Sequence, residues 1–160
     1  MGWLARKRLG WLERGLDGLH RAAQQRGSVT APHLETGLDG ERAAYFYLRR
    51  KGYAVVARRW SAGHVEGDLD LIAWHGSTLC FVEVKTRTAH DITPAEFAVD
   101  HHKRRVLRRM ARHYLRHLPG ETAPPVRFDV ISVYLVPGRP KEIAHFENSF
   151  GWTERRKQWE

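Results

Sequence analysis

Two apolar segments, residues 67–74 and 78–86, flank the short turn His75-Gly76-Ser77 and carry charges where a buried hairpin has no use for them. β-Branched and aromatic residues fill both arms, and a Gly-containing turn joins them, which is the pattern of a β-hairpin. Asp70 stands in the first arm, with Glu83 and Lys85, two apart, in the second. A charge taken out of water is costly unless it is paired or coordinates a metal. The hairpin must therefore belong to a fold that supplies partners for these charges, and a divalent cation is one such partner.

Side chains at i and i+2 of a strand share a face, about 6.5–7 Å apart. Glu83 and Lys85 then point one way, with Val82 and Val84 opposite, while Asp68 and Asp70 share a face with Leu69 and Leu71 behind them. If the two polar faces coincide, carboxylates converge beside an ammonium. Carboxylate oxygens completed by water suit Mg²⁺ or Mn²⁺. A neighbouring Lys can hold or deprotonate an attacking water, or balance charge growing on a phosphate. These are the parts of metal-assisted phosphodiester hydrolysis. The same residues also suit a salt-bridge network at a strand end, and their spacing alone does not choose between the two.

Around the hairpin the chain reads as α/β. Leu9, Leu12, Leu16, Leu19 and Ala23 recur at helical spacing, so residues 3–26 form an amphipathic basic helix, weakened by Gly10, Gly15 and Gly18 and followed by a linker. A helix over 35–51 follows, with Ala43, Ala44, Phe46, Tyr47 and Leu48 inward and Gly52 at its end. A strand at 53–57 precedes the hairpin. Thr93-Pro94-Ala95-Glu96 starts a helix running to Leu118. A long strand over 126–136 and a short edge strand over 142–146 complete a mixed sheet flanked by helices. The expected organisation is an appendage at 1–33, a domain at 34–150 and a basic, aromatic tail at 151–160.

The net charge of +9 is unevenly spread, and residues 101–118 carry Lys103, Arg104, Arg105, Arg108, Arg109, Arg112 and Arg116 with no acid among them. Such a cluster suits a polyanion, most often nucleic acid, so Lys103, Arg104, Arg105, Arg108 and Arg112 are the expected contacts. In the tail, Trp152 and Trp159 around Arg155-Arg156-Lys157 can stack on bases or simply end the chain. Trp3 and Trp11 on the first helix can meet a membrane surface or a partner. No apolar run suits a transmembrane span or a secretory leader. With Cys80 alone, and inside a strand, the expected setting is the cytoplasm and the expected thiol a buried one. His113 and His117 lack the neighbouring Glu of a metalloprotease motif, and no zinc is expected. Asp129 interrupts another buried strand and is expected to be structural, paired with Arg127 or a helix.

Gly37-x-x-Gly40-Glu41-x-x-Ala44, Gly52-Tyr53, residues 67–72, Phe81-Val82-Glu83-Val84-Lys85-Thr86-Arg87, Lys103 and Arg127-Phe128-Asp129-Val130, in this order, resemble the motif series of the YraN family. The resemblance covers about residues 36–150. These small bacterial proteins are related to archaeal Holliday-junction resolvases and the restriction-endonuclease-like superfamily. The resemblance implies an α-β-β-β-α-β core, with Asp70 and Glu83 as metal ligands, Lys85 as the catalytic lysine and Glu41 as an accessory acidic residue at the metal. It also implies an endonuclease for structured or branched DNA and suggests a homodimer. The alternative is a repair-accessory or other nucleic-acid-binding protein that keeps the fold without turnover. The family usually carries Glu where this chain has Asp68, one methylene shorter, and Asp68 is expected at the strand end rather than on a metal.

Overall fold

The computed structural model describes residues 32–89 and 99–153. The expected helix over 3–26, the Thr93 cap, and Trp159 with its basic neighbours lie outside the described residues. Helix α1 (Pro32–Arg50) is followed by strands β1 (Ala54–Trp60), β2 (Leu69–His75) and β3 (Thr78–Arg87), helix α2 (His101–Leu115), and strands β4 (Val126–Tyr134) and β5 (Glu142–Phe150). The sheet order is β1-β2-β3-β4-β5. Every neighbouring pair is antiparallel except β3 and β4, which run parallel because α2 makes the crossover between them. This is the mixed sheet flanked by helices, in α-β-β-β-α-β order, that the sequence predicts.

Each face of the sheet buries one helix. Ala43, Ala44, Tyr45 and Leu48 of α1 pack on Leu71, Ala73, Val82, Val84, Ile131 and Val133. Val106, Leu107, Met110 and Ala111 of α2 pack on Ile72, Leu79, Phe81, Phe128 and Val130. The inward face of α1 is turned slightly from the expected one, so that Tyr45 is buried and Phe46 is exposed. The helix starts earlier than expected, at Pro32, where a missing N–H costs nothing. It ends as expected at Gly52, with φ +86°, through Gly52 N–H to Arg49 O and Tyr53 N–H to Leu48 O.

Other bounds change as well. Helix α2 begins at His101 rather than Thr93, because Asp100, in extended backbone, accepts the N–H of Lys103 at 2.8 Å and caps it. Its last residue is Leu115 rather than Leu118, and tighter turns carry the chain onward. Strand β5 runs on past residue 146 to Phe150, whose ring stacks on Phe128 with centroids 4.8 Å apart. Cys80 is fully buried as expected, and burial is the main cause that pushes its thiol up to about 11. Among the described residues no helix is long and apolar enough to cross a membrane.

Asp129 is structural. Its Oδ1 accepts from Arg127 Nε at 2.8 Å and Asn148 N at 2.9 Å, while Oδ2 meets Arg127 Nη2 and His145 Nε2, both at 2.9 Å. Arg127 also donates to Tyr53 Oη and Glu147. Burial would raise the Asp129 carboxyl, but the His145, Arg127 and Asn148 bonds outweigh it and hold the group below its usual range. A depressed folded pKa stabilises the fold above the unfolded value and loses that stabilisation as pH falls through the folded one. Asp129→Asn should therefore lower stability at neutral pH by about 3–5 kcal/mol. Urea melts compare the proteins, and the deficit should shrink as the pH falls below about 4.

Candidate functional site

The site forms where β2 and β3 part. Their ladder runs from His75↔Thr78 to Leu71↔Val82 and stops, while β3 goes on pairing with β4 as far as Arg87. Past the last pair, Asp70 Oδ2 accepts the N–H of Val84 at 2.7 Å, so a carboxylate stands in for the missing ladder bond. The parted strands leave Asp70 (8% exposed) and Glu83 (3% exposed) buried side by side. Glu83 Oε1 lies 3.0 Å from Lys85 Nζ, its neighbour on the same strand face.

A second ammonium closes the site. Lys103 Nζ stands 3.3 Å from Glu83 Oε2 and 3.9 Å from Asp68 Oδ1. The sequence placed Lys103 among the nucleic-acid contacts, whereas the fold seats it on the buried acid. The signal that locates it is Asp100, whose cap fixes Lys103 in the first turn of α2. Asp68 lies before β2, partly exposed, at the rim.

Close approaches bring both helices to this point. A Cβ built on Gly40 would stand 2.9 Å from Thr86 Cβ, so only glycine lets α1 settle on β3 there. Gly67, at φ +110°, would drive a Cβ into Val106 of α2. The first contact sets Glu41 in an open cleft of about 350 Å³ with His33, Thr36, Lys85 and Thr86. Arg59 Nε lies 3.7 Å from Glu41 Oε2.

The electrostatics follow from crowding acids out of water. Burial first, then the charge of Glu83, pushes Asp70 up to about 8 against the pull of Val84 N–H and Lys103. Burial also raises Glu41; Arg59 opposes the shift, and Asp68 and Glu83 add to it. For Lys103, burial works against the charged form, but Glu83, Asp70 and Asp68 outweigh it and raise its pKa.

Of the remaining basic residues expected at a nucleic acid, Arg105 and Arg112 are exposed. Arg112 covers the Trp152 ring at 5.3 Å, and Trp152 packs edge-on against Phe128 at 4.9 Å, so that ring is part of the domain rather than a free stacking group. Arg104 Nε donates to Val99 O at 2.8 Å. Arg108 is buried, 5% exposed, with Nε donating to Gly151 O at 2.7 Å, and is spent on bracing the end of β5.

Among the described residues, no three His, Cys, Asp or Glu side chains converge closely enough to cage a metal by protein alone. Mg²⁺ rarely asks for that, since it binds through one or two carboxylates and keeps several waters. The donors suit it. Glu83 Oε2 accepts no well-formed hydrogen bond although the Lys103 ammonium is near. Ser132, paired with Lys85 across β3 and β4, has a fully buried hydroxyl with no partner among the described residues. Two buried acids, one with its proton affinity raised by the other, are a pair that added positive charge relieves.

Residues 40–133, from Gly40 through every residue of the parted-strand site to β4, match the model of the uncharacterised protein family UPF0102. A UPF0102 protein of Koribacter versatilis is 52% identical over 119 residues, covering 74% of this chain and 80% of the relative. One from Porphyromonas gingivalis is 43% identical over 129 residues, 80% of this chain and 93% of the relative. One from Thermodesulfovibrio yellowstonii is 34% identical over 117 residues, 73% and 96% of the two chains.

A carboxyl whose folded pKa is raised stabilises the fold below its unfolded value and loses that stabilisation as pH rises through the folded one. Metal-free protein should therefore lose stability through Asp70 between about pH 4 and pH 8. Asp70→Asn keeps an acceptor for Val84 N–H and removes the charge. Its metal-free stability at about pH 8 should exceed that of the unaltered chain by on the order of 1 kcal/mol or more, read as a higher melting midpoint. At about pH 5 the gain should shrink. Differential scanning fluorimetry without metal checks both.

Proposed function

The chain belongs to the UPF0102 family, and we propose that it is a Mg²⁺-dependent endonuclease hydrolysing phosphodiester bonds in structured or branched DNA. The observation that carries this reading is Glu83, buried beside Asp70 and flanked by the ammoniums of Lys85 and Lys103 at the parted ends of β2 and β3. Asp70 and Glu83 would hold the cation with water, and Mg²⁺ or Mn²⁺ would supply Lewis-acid charge at the scissile phosphate. Lys85, whose side chain is one-third exposed, reaches the mouth of the site. It is placed to hold the attacking water and to balance charge on the phosphate oxygens. Lys103 adds a second positive charge from the opposite wall. Glu41, across the cleft from Lys85, is suited to passing a proton once substrate is bound. Arg105 and Arg112 offer guanidinium groups to the flanking backbone. The same reading sets the protein in the cytoplasm beside DNA, and a homodimer would present two such sites to a branched substrate.

One feature favours a second reading. Lys103 already neutralises Glu83, as expected of a nucleic-acid-binding protein that keeps the fold without turnover. A single assay separates the two, using supercoiled plasmid and a synthetic four-way junction with Mg²⁺ or Mn²⁺. The endonuclease should nick one or both. Glu83→Gln and Lys85→Met should each slow cleavage at least 100-fold, with salt-dependent binding kept. Binding without cleavage under either metal would favour the second reading. Equal cleavage by both variants would overturn the site assignment.

A further inference from the structure

The alternation of β1 breaks at Arg59. Arg58 lies on the α1 side, its guanidinium 4.8 Å from the Tyr45 ring. Two residues on, Trp60 should point the same way. Instead it packs edge-on against Tyr114 of α2, with centroids 5.2 Å apart. Between them Arg59 has φ +47°, a left-handed conformation that a residue with a Cβ seldom adopts. Strain of this kind persists where the surroundings over-determine it, and it gathers at binding sites.

The turned Trp60 helps to line a cleft of about 380 Å³ with Ala62, His64, His113, Tyr114 and His117. The rings are set at angles to one another: His64 to His113 at 5.1 Å, and His113 to His117 at 5.4 Å. His117 Nδ1 bonds to His113 O at 2.8 Å, which fixes that ring. Burial, then the neighbouring His64 and His117, lowers the His113 pKa and favours its neutral, stacking form. Among the described residues these rings do not make a metal-binding group. Their chemistry is that of flat faces around a hollow.

The hollow is tied to the carboxylate site by one loop. From Trp60 to Asp68 the chain follows α2, with His64 against His113, Glu66 O accepting from Arg109 Nη2 at 3.0 Å, and Asp68 near Lys103. Beside it Arg105, Arg109, Arg112 and Arg116 are all exposed at 4-3-4 spacing, a stripe on one helix face. Ten helical residues separate Lys103 from His113, about 15 Å along the helix axis, a span that a short single-stranded arm can bridge.

We propose that Trp60, His64, His113 and His117 form a stacking pocket for an unpaired base of single-stranded DNA, reached along the arginine stripe from the site at Glu83. Aromatic faces beside positive charge bind single strands with little regard to sequence. This rests on the DNA reading above and narrows the substrate to DNA with a single-stranded arm.

The test uses the full chain in EDTA, so that cleavage plays no part. Fluorescence anisotropy compares a labelled single-stranded oligodeoxynucleotide with a blunt duplex of equal length. The rim residue His113 is altered because Trp60 also supports packing. His113→Ala should weaken single-strand binding about tenfold and leave duplex binding within about twofold, and His113→Phe, which keeps a ring, should restore it. In a flapped duplex, 2-aminopurine stepped along the first few nucleotides of the flap should be quenched at one position by the unaltered chain and at none by His113→Ala. Equal losses on both DNAs, or no loss on either, would overturn the pocket while leaving the endonuclease reading standing. An unaltered chain that binds neither DNA would overturn both.

Discussion

The buried Glu83 carboxylate, caught between Lys85 and Lys103, is the interaction on which the arrangement of this domain turns. Removing an ion from water costs several kcal/mol even after relaxation, so each element around Glu83 has to arrive with something to offer. Strand β3 supplies Lys85 by simple alternation. Helix α2 supplies Lys103, and it can do so only because Asp100 starts the helix one turn before the lysine is needed. Strand β2 leaves the ladder and spends the Asp70 carboxylate on Val84 N–H. Gly40 and Gly67 then let the two helices close to within contact of β3 and the entry to β2.

Besides Glu83, Asp70 and Asp129 are the acids buried in the sheet among the described residues, and their surroundings differ in kind. Asp129 is saturated: four donors meet its two oxygens, and its carboxyl is held below the usual range. Asp70 has one backbone donor and a charged neighbour, and its carboxyl is pushed well up. The first pattern is that of a group whose work is to hold strands and side chains together. The second is that of a group kept short of partners, which is how catalytic and ion-binding acids are recognised among structural ones. The contrast explains why two acids that interrupt apolar strands in the same way are assigned different roles.

Much of this was legible in the sequence because strand alternation is local. Glu83 and Lys85 two apart must share a face, and the apolar neighbours of Asp70 and Asp129 place those acids in the sheet. Gly52 and the His75-Gly76-Ser77 turn punctuate the chain where the structure does. Contacts between distant segments were harder to read. Lys103 and Arg108 look alike within a run of basic residues, yet one lies against Glu83 and the other under β5, because five helical residues carry them to different sides of α2. Trp60 reaches α2 only through the left-handed turn at Arg59, and nothing in the residue type announces that conformation. A single helix running through residues 99 and 100 to Leu118 is what local pattern suggests, whereas Asp100, in extended backbone, interrupts it and caps α2 at His101.

We propose that Asp70 and Glu83 are arranged for a divalent cation. Crystals soaked in Mn²⁺ and measured for anomalous scattering test it directly. A single strong peak is expected within bonding distance of both carboxylates, with Lys103 drawn away from Glu83. A site with no peak, and Lys103 still seated on Glu83, would contradict it.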